Sequence, residues 1–156
     1  MKVLIVYDTV SPSRVTEQVA RAIGEVLRQE GLEVDSFYVG DADKTVMKDY
    51  DCLLAGAPTM AFRTAPGIMQ FLDNLQASEV SGKLAAAFDT QLKSFLSGSA
   101  VKGIEGKLKG LGLKLASAPL VAYVQGSGSQ NMWRLRDGEL EKVKNWAQDL
   151  AKGLKK

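Results

Sequence analysis

Val6-Tyr7-Asp8-Thr9-Val10-Ser11-Pro12-Ser13-Arg14-Val15-Thr16 (VYDTVSPSRVT) joins an apolar run to an amphipathic one. The run before it, Met1 to Tyr7 (MKVLIVY), is the pattern of a strand buried on both faces. After it, Val15, Val19, Ala22, Ile23, Val26 and Leu27 recur at helical spacing, and Gly31 closes that helix. The stretch is therefore a strand-to-helix turn, rich in hydroxyls and free of glycine. A helix N-terminus offers unpaired N–H groups and the positive end of a dipole, so it suits a phosphate. Ser11, Ser13 and Thr16 are spaced to donate to one phosphate, with Thr9 at its edge and Arg14 available as a charged contact. The plainer alternative is that Ser13 caps the helix and the other hydroxyls face water.

The rest of the chain repeats the strand-helix alternation. Glu33 to Val39 alternates as a strand, and a short helical turn follows near Thr45 to Lys48. Tyr50 to Ala57 reads as a third strand ended by Pro58, with a helix from about Pro66, a favoured first-turn position for proline. Lys83 to Phe88 is a fourth strand. Val101, Ile104, Leu108 and Leu111 stripe the next helix. Leu113 to Val124 holds a fifth strand, breakable at Pro119; Gly126 to Asn131 reads as a loop, and Leu140 to Leu154 as the last helix. Such alternation predicts an α/β fold: a doubly wound five-stranded parallel sheet of order 2-1-3-4-5, with helices on both faces. Such sheets bind ligands beyond the carboxyl ends of their strands, where the hydroxyl turn falls. With 156 residues and no visible linker, 1–156 is expected to be a single domain.

Composition narrows the chemistry. There is no histidine, which removes Ser-His-Asp and Cys-His catalysis and disfavours a transition-metal site. The one cysteine, Cys52, lies in an apolar run and reads as an inert buried thiol. A net charge of +2 in small clusters does not suggest a nucleic-acid partner. No segment reaches membrane-spanning length, and a cytoplasmic location is expected. The turn has neither a P-loop Gly-Lys-Ser nor a GxGxxG.

Ser11-Pro12-Ser13-Arg14-Val15-Thr16-Glu17 resembles, in register, the flavodoxin fingerprint Ser/Thr-x-Thr-Gly-x-Thr-Glu, with Arg14 at the glycine and Val15 at the usual Asn. Asp49 to Thr59 (DYDCLLAGAPT) is similar to the family's third strand and loop. Met60-Ala61 stands where short-chain flavodoxins carry Met-Gly against the flavin. The resemblance implies FMN as cofactor, with the phosphate held by Thr9, Ser11, Ser13, Arg14, Val15 and Thr16. It implies that Pro58, Thr59, Met60, Ala61 and Phe62 line the ring. The loop Asp89 to Ser99 would hold the ring's pyrimidine side through backbone groups, placing Asp89, Thr90, Phe95, Ser97 and Gly98 at the cofactor, and Phe95 or Phe62 would cover a ring face. It implies an electron-transfer flavoprotein working with redox partner proteins or small electron acceptors. An FMN-dependent NAD(P)H:quinone-type reductase, or a flavodoxin-like binding module without FMN, is the alternative. No residue is singled out as catalytic or as a metal ligand.

Overall fold

The computed structural model describes residues 1–9, 14–44, 47–60, 63–92, 99–127 and 132–155. The strands are β1 (Lys2–Tyr7), β2 (Glu33–Tyr38), β3 (Cys52–Met60), β4 (Arg63–Thr64), β5 (Leu84–Leu92), β6 (Lys114–Leu115), β7 (Leu120–Ser127) and β8 (Met132–Leu135). The helices are α1 (Val15–Gln29), α2 (Pro66–Asp73), α3 (Ala77–Val80), α4 (Ala100–Gly110) and α5 (Glu139–Leu154), with short 3-10 turns at Val39–Lys44 and Met47–Asp49.

The strands form one sheet of order β2-β1-β3-β5-β7-β8. Its first five members are parallel to their neighbours, which is the expected 2-1-3-4-5 arrangement. β8 adds an antiparallel strand at the edge, paired with the end of β7. The glycine- and serine-rich stretch near Gly126 therefore begins inside a strand, with Gly126 opposite Trp133. Pro119 does separate two strands, since β6 pairs β5 at Leu84 and Ala85 and β7 rejoins it from Phe88 onward.

Period-two alternation sends successive side chains to opposite faces. Val3, Ile5, Tyr7, Cys52, Leu54, Ala86 and Phe88 pack under α1 and α5; Leu4, Val6, Leu53, Ala55, Ala57, Ala85 and Ala87 pack under α2 and α4. That double burial explains why β1, β3 and β5 are apolar throughout. Cys52 is fully buried, and burial pushes its thiol up to about 12.

Gly56 and Phe88 are neighbours on β3 and β5. A Cβ on Gly56 would lie 2.1 Å from the Phe88 ring, so only glycine fits there.

Two strand ends differ from the sequence reading. β3 does not stop at Pro58: it runs to Met60 and turns back antiparallel into β4, pairing Thr59 with Thr64 and Met60 with Arg63. Proline lacks an N–H but keeps its carbonyl, and Pro58 holds register opposite Thr90. β5 likewise extends past Phe88 to Leu92, so Asp89 and Thr90 belong to a central strand and not to a loop. Both extensions are polar, which is why a hydrophobic pattern misses them.

Candidate functional site

Three helices begin at the carboxyl edge of the sheet: α1 after β1, α2 after the β3–β4 hairpin, and α4 after β5. Each starts with amides that its own helix cannot pair. What meets those amides differs among the three.

At α2, the carboxylate of Asp8, just past β1, accepts hydrogen bonds from the Gly67 and Ile68 amides as well as from Thr9 N–H. Gly67 makes this approach possible, since a Cβ there would fall 2.6 Å from Asp8 Oδ2. Asp8 is buried, and burial raises its pKa against the opposing pull of those amides.

At α4, Asp89 plays the corresponding part. It is fully buried. Its Oδ2 accepts the Thr59 hydroxyl at 3.0 Å and the Gln91 side-chain amide at 2.8 Å. Thr59 Oγ1 in turn accepts the Ala100 N–H at 2.8 Å, tying the end of β3 to the first residue of α4. The amides of Ala100 and Val101 also favour the ionised carboxylate, yet Oδ1 closes no hydrogen bond. Burial dominates and pushes the carboxyl up to about 6. Asp8 and Asp89 share the sheet face that carries α2 and α4. They flank Ala57 of β3, which pairs with Asp89, roughly two strand spacings apart.

At α1 no side chain among the described residues caps the N-terminus. The first intrahelical bond is Gln18 N–H to the Arg14 carbonyl at 3.2 Å, which leaves the amides of Val15, Thr16 and Glu17 without an intrahelical acceptor. Val15 and Thr16 are buried. Thr16 Oγ1 and Thr90 Oγ1 lie 2.8 Å apart. Only one of two hydroxyl protons is used in such a pair, so the other remains to be donated.

Arg14 occupies the cap position with φ 53° and ψ 44°, the left-handed conformation. Among the described residues it is the one non-glycine with positive φ. It stands at the glycine of the sequence pattern, so the backbone keeps the conformation that glycine favours. The side chain turns back along α1, where Nε and Nη2 donate to Glu17 at 2.8 and 3.0 Å. Glu17 also accepts the Tyr7 hydroxyl at 2.7 Å. Arg14 and Tyr7 together hold the Glu17 carboxyl below its usual range, while burial and Glu17 push the Tyr7 phenol up to about 12.

Of the residues singled out in the sequence, the structure brings Arg14, Val15 and Thr16 together at the head of α1, and joins Thr90 to them. Thr9 ends the described part of the preceding segment. Pro58, Thr59 and the backbone of Met60 lie at the end of β3, with Asp89 beside them. Ser11, Ser13, Ala61, Phe62, Phe95, Ser97 and Gly98 lie outside the described residues, as does the Ser13 cap alternative. Asp89 is placed below the surface by its full burial, as a brace of Thr59 and α4. Asp8, Gly67 and Gln91 were not picked out by the motifs. A lone aspartate directly after a buried strand, and a glycine after Pro66, were the available signals.

The donors at the head of α1 fit a phosphate: amides with no cap among the described residues and a spare hydroxyl proton, with the Arg14 guanidinium engaged by Glu17. Among the described residues no cluster could hold a metal ion, and no helix is long and apolar enough to cross a membrane.

No protein-family model matches the chain. A flavodoxin from Clostridium saccharobutylicum is 30% identical over 91 residues, covering 58% of this chain and 56% of that relative. The match thus spans little more than half of either sequence. A flavodoxin from the domain Archaea superposes over the whole of both chains with a TM-score of 0.79 at 23% identity. Oxidised flavodoxin 1 from Bacillus cereus superposes over 97% of this chain and 98% of its own, with a TM-score of 0.76 at 21% identity. Rubredoxin oxygen:oxidoreductase from Desulfovibrio gigas matches 99% of this chain at a TM-score of 0.75, using 36% of its own length. The chain thus has the fold of the flavodoxins and is similar in sequence to one of them over 58% of its residues.

Proposed function

We propose that the chain binds FMN and transfers electrons between redox partners. The observation that carries this reading is the contrast among the three helix N-termini. Those of α2 and α4 are occupied by Asp8 and Asp89, whereas no described residue occupies the Val15, Thr16 and Glu17 amides of α1, which lie beside the Thr16–Thr90 hydroxyl pair. One open cradle suits one terminal phosphate, as in a flavin mononucleotide. The isoalloxazine ring would then extend from α1 toward the ends of β3 and β5. There Pro58, Thr59 and Met60, with the segments 61–62 and 93–98, are the residues offered to it.

Bound flavin supplies the redox chemistry; the protein holds it and sets its potential by packing and charge. The relatives support a carrier, and with no substrate-binding residue identified, electron transfer is preferred to quinone reduction. Soluble redox proteins or small acceptors are the proposed partners.

The test is titration of the apoprotein with FMN and with riboflavin, followed by flavin fluorescence. Tight quenching by FMN and much weaker quenching by riboflavin is the expected result. Equal affinities would remove the phosphate cradle from the account. NAD(P)H-dependent quinone turnover by the FMN-loaded protein would favour the reductase.

A further inference from the structure

Asp89 is an unusual residue to find in the middle of a central strand. It is fully buried, forms no ion pair among the described residues, and keeps Oδ1 without a hydrogen bond. Its hydrogen-bond partners among the described residues are neutral: the Thr59 hydroxyl from β3, the Gln91 amide on its own strand, and the Ala100 and Val101 amides from α4. Val121 is its partner on β7. The charged side chains nearest the start of α4 are Lys102, which is exposed, and Glu105, which is half-buried, and the other acid on this face is Asp8, across Ala57. A buried carboxylate with no cation beside it among the described residues is poised to accept a proton whenever more negative charge arrives nearby.

The link to the place where charge would arrive is Thr59, next to last in β3, whose hydroxyl donates to Asp89 at 3.0 Å; Asp89 itself lies three residues before the end of β5. We infer that Asp89 is the proton acceptor that accompanies flavin reduction in this protein. An electron enters the flavin from an external one-electron donor; a proton enters from solvent and forms an O–H bond at Asp89 Oδ1. The O–H bond that breaks is that of a solvent hydronium ion, which leaves as water, and the net charge of the site is conserved. The Thr59 and Gln91 donors stay on Oδ2, so β3, β5 and α4 remain tied through the change.

This inference rests on the FMN reading, and the experiment separates the two. FMN binding is measured first, in wild type and in Asp89→Asn. Midpoint potentials of the FMN-loaded proteins are then measured from pH 5 to 8. Wild type and Asp89→Asn should agree at the acid end and diverge above about pH 6, with wild type lower because the ionised carboxylate opposes the incoming electron. Infrared difference spectra should show a carboxylic acid band appearing on reduction of wild type and absent from Asp89→Asn. Thr59→Val removes a donor to the ionised form, so its divergence should begin at higher pH; it also serves if Asp89→Asn fails to fold. An offset that is constant with pH would make Asp89 a fixed charge and overturn the inference, as would coincident curves. Tight FMN binding with either of those results leaves the function standing. Failure to bind FMN removes both.

Discussion

Thr16 Oγ1 and Thr90 Oγ1 lie 2.8 Å apart and buried, joining the first turn of α1 to the end of β5 across 74 residues of sequence. Asp89, one residue earlier, points to the opposite face and meets α4. The strand's period of two thus divides adjacent polar residues between two helix N-termini. One receives an acid that fills it; the other receives a hydroxyl that leaves it open.

On the proposed reading the hydroxyl pair discriminates the phosphate. Thr16→Val and Thr90→Val keep the side-chain shape and remove the donor. A hydrogen bond to a charged group contributes about 1.5–3 kcal/mol, so each variant should weaken FMN by roughly tenfold to a hundredfold. Riboflavin, which lacks the phosphate, should change little. Fluorescence titrations with both flavins read this directly.

Arg14 carries a conformational cost that its side chain partly offsets. The left-handed conformation costs a residue with a Cβ about 1–2 kcal/mol relative to the right-handed one. The Arg14–Glu17 pair is exposed at its arginine end and screened by water, so it returns only part of that. Arg14→Ala keeps the cost and loses the pair, whereas Arg14→Gly loses both. The glycine variant should be the more stable of the two by about 1 kcal/mol in urea unfolding of the apoprotein. An alanine variant as stable as the glycine variant would show that the backbone there is not left-handed.

Gly67 and Asp8 form a coupled pair. Gly67→Ala would push a Cβ into Asp8 Oδ2 and displace the carboxylate from the α2 amides. Asp8→Ala removes the carboxylate outright. Each alone should cost about 1–3 kcal/mol, because the α2 amides are left unpaired. Once Asp8 is alanine, the Gly67 substitution has little left to displace. The double variant should therefore be less damaged than the sum, by about 1 kcal/mol or more in a double-mutant cycle. Strict additivity would mean that the two residues do not share one contact.

How much of this could be read in the chain depended on apolar pattern. Val3 to Tyr7, the Val19–Leu27 stripe and the Leu140–Leu154 helix announced themselves, since burial on both sheet faces and on one helix face leaves periodic traces. The start of α1 was legible because the apolar stripe from Val15 begins directly after a turn rich in hydroxyls. Asp8 and Asp89 were not legible as helix caps. Each caps a helix that begins many residues later, through a contact that only the sheet order creates. Pro58 hid the end of β3 because a proline that pairs through its carbonyl looks, in sequence, like one that ends a strand. Arg14 shows the reverse: the pattern asked for glycine, and the glycine-like conformation survived without it.

Asp89 also sets a pH dependence for the apoprotein that runs against the usual acid loss. Its carboxyl titrates near 6 in the folded chain and at about 3.8 when exposed. Between those values the folded state holds a proton that the unfolded state has released, so this group stabilises the fold as the pH falls through 6 and reaches its full contribution below 4. At pH 7 both states are ionised, and the folded state bears the cost of a buried charge. Glu17 and Glu139 pull the other way, because their folded carboxyls are held below the usual range and their stabilisation is lost on acidification. Comparing wild type with Asp89→Asn isolates the first effect. The variant should be more stable at pH 7 by about 1–3 kcal/mol, and that advantage should shrink toward pH 4 as wild-type Asp89 becomes neutral in its own right. Urea midpoints of both proteins at pH 4, 5, 6 and 7 give the difference. An advantage that does not change with pH, or one that grows on acidification, would mean that the buried carboxyl is not titrating in the folded state.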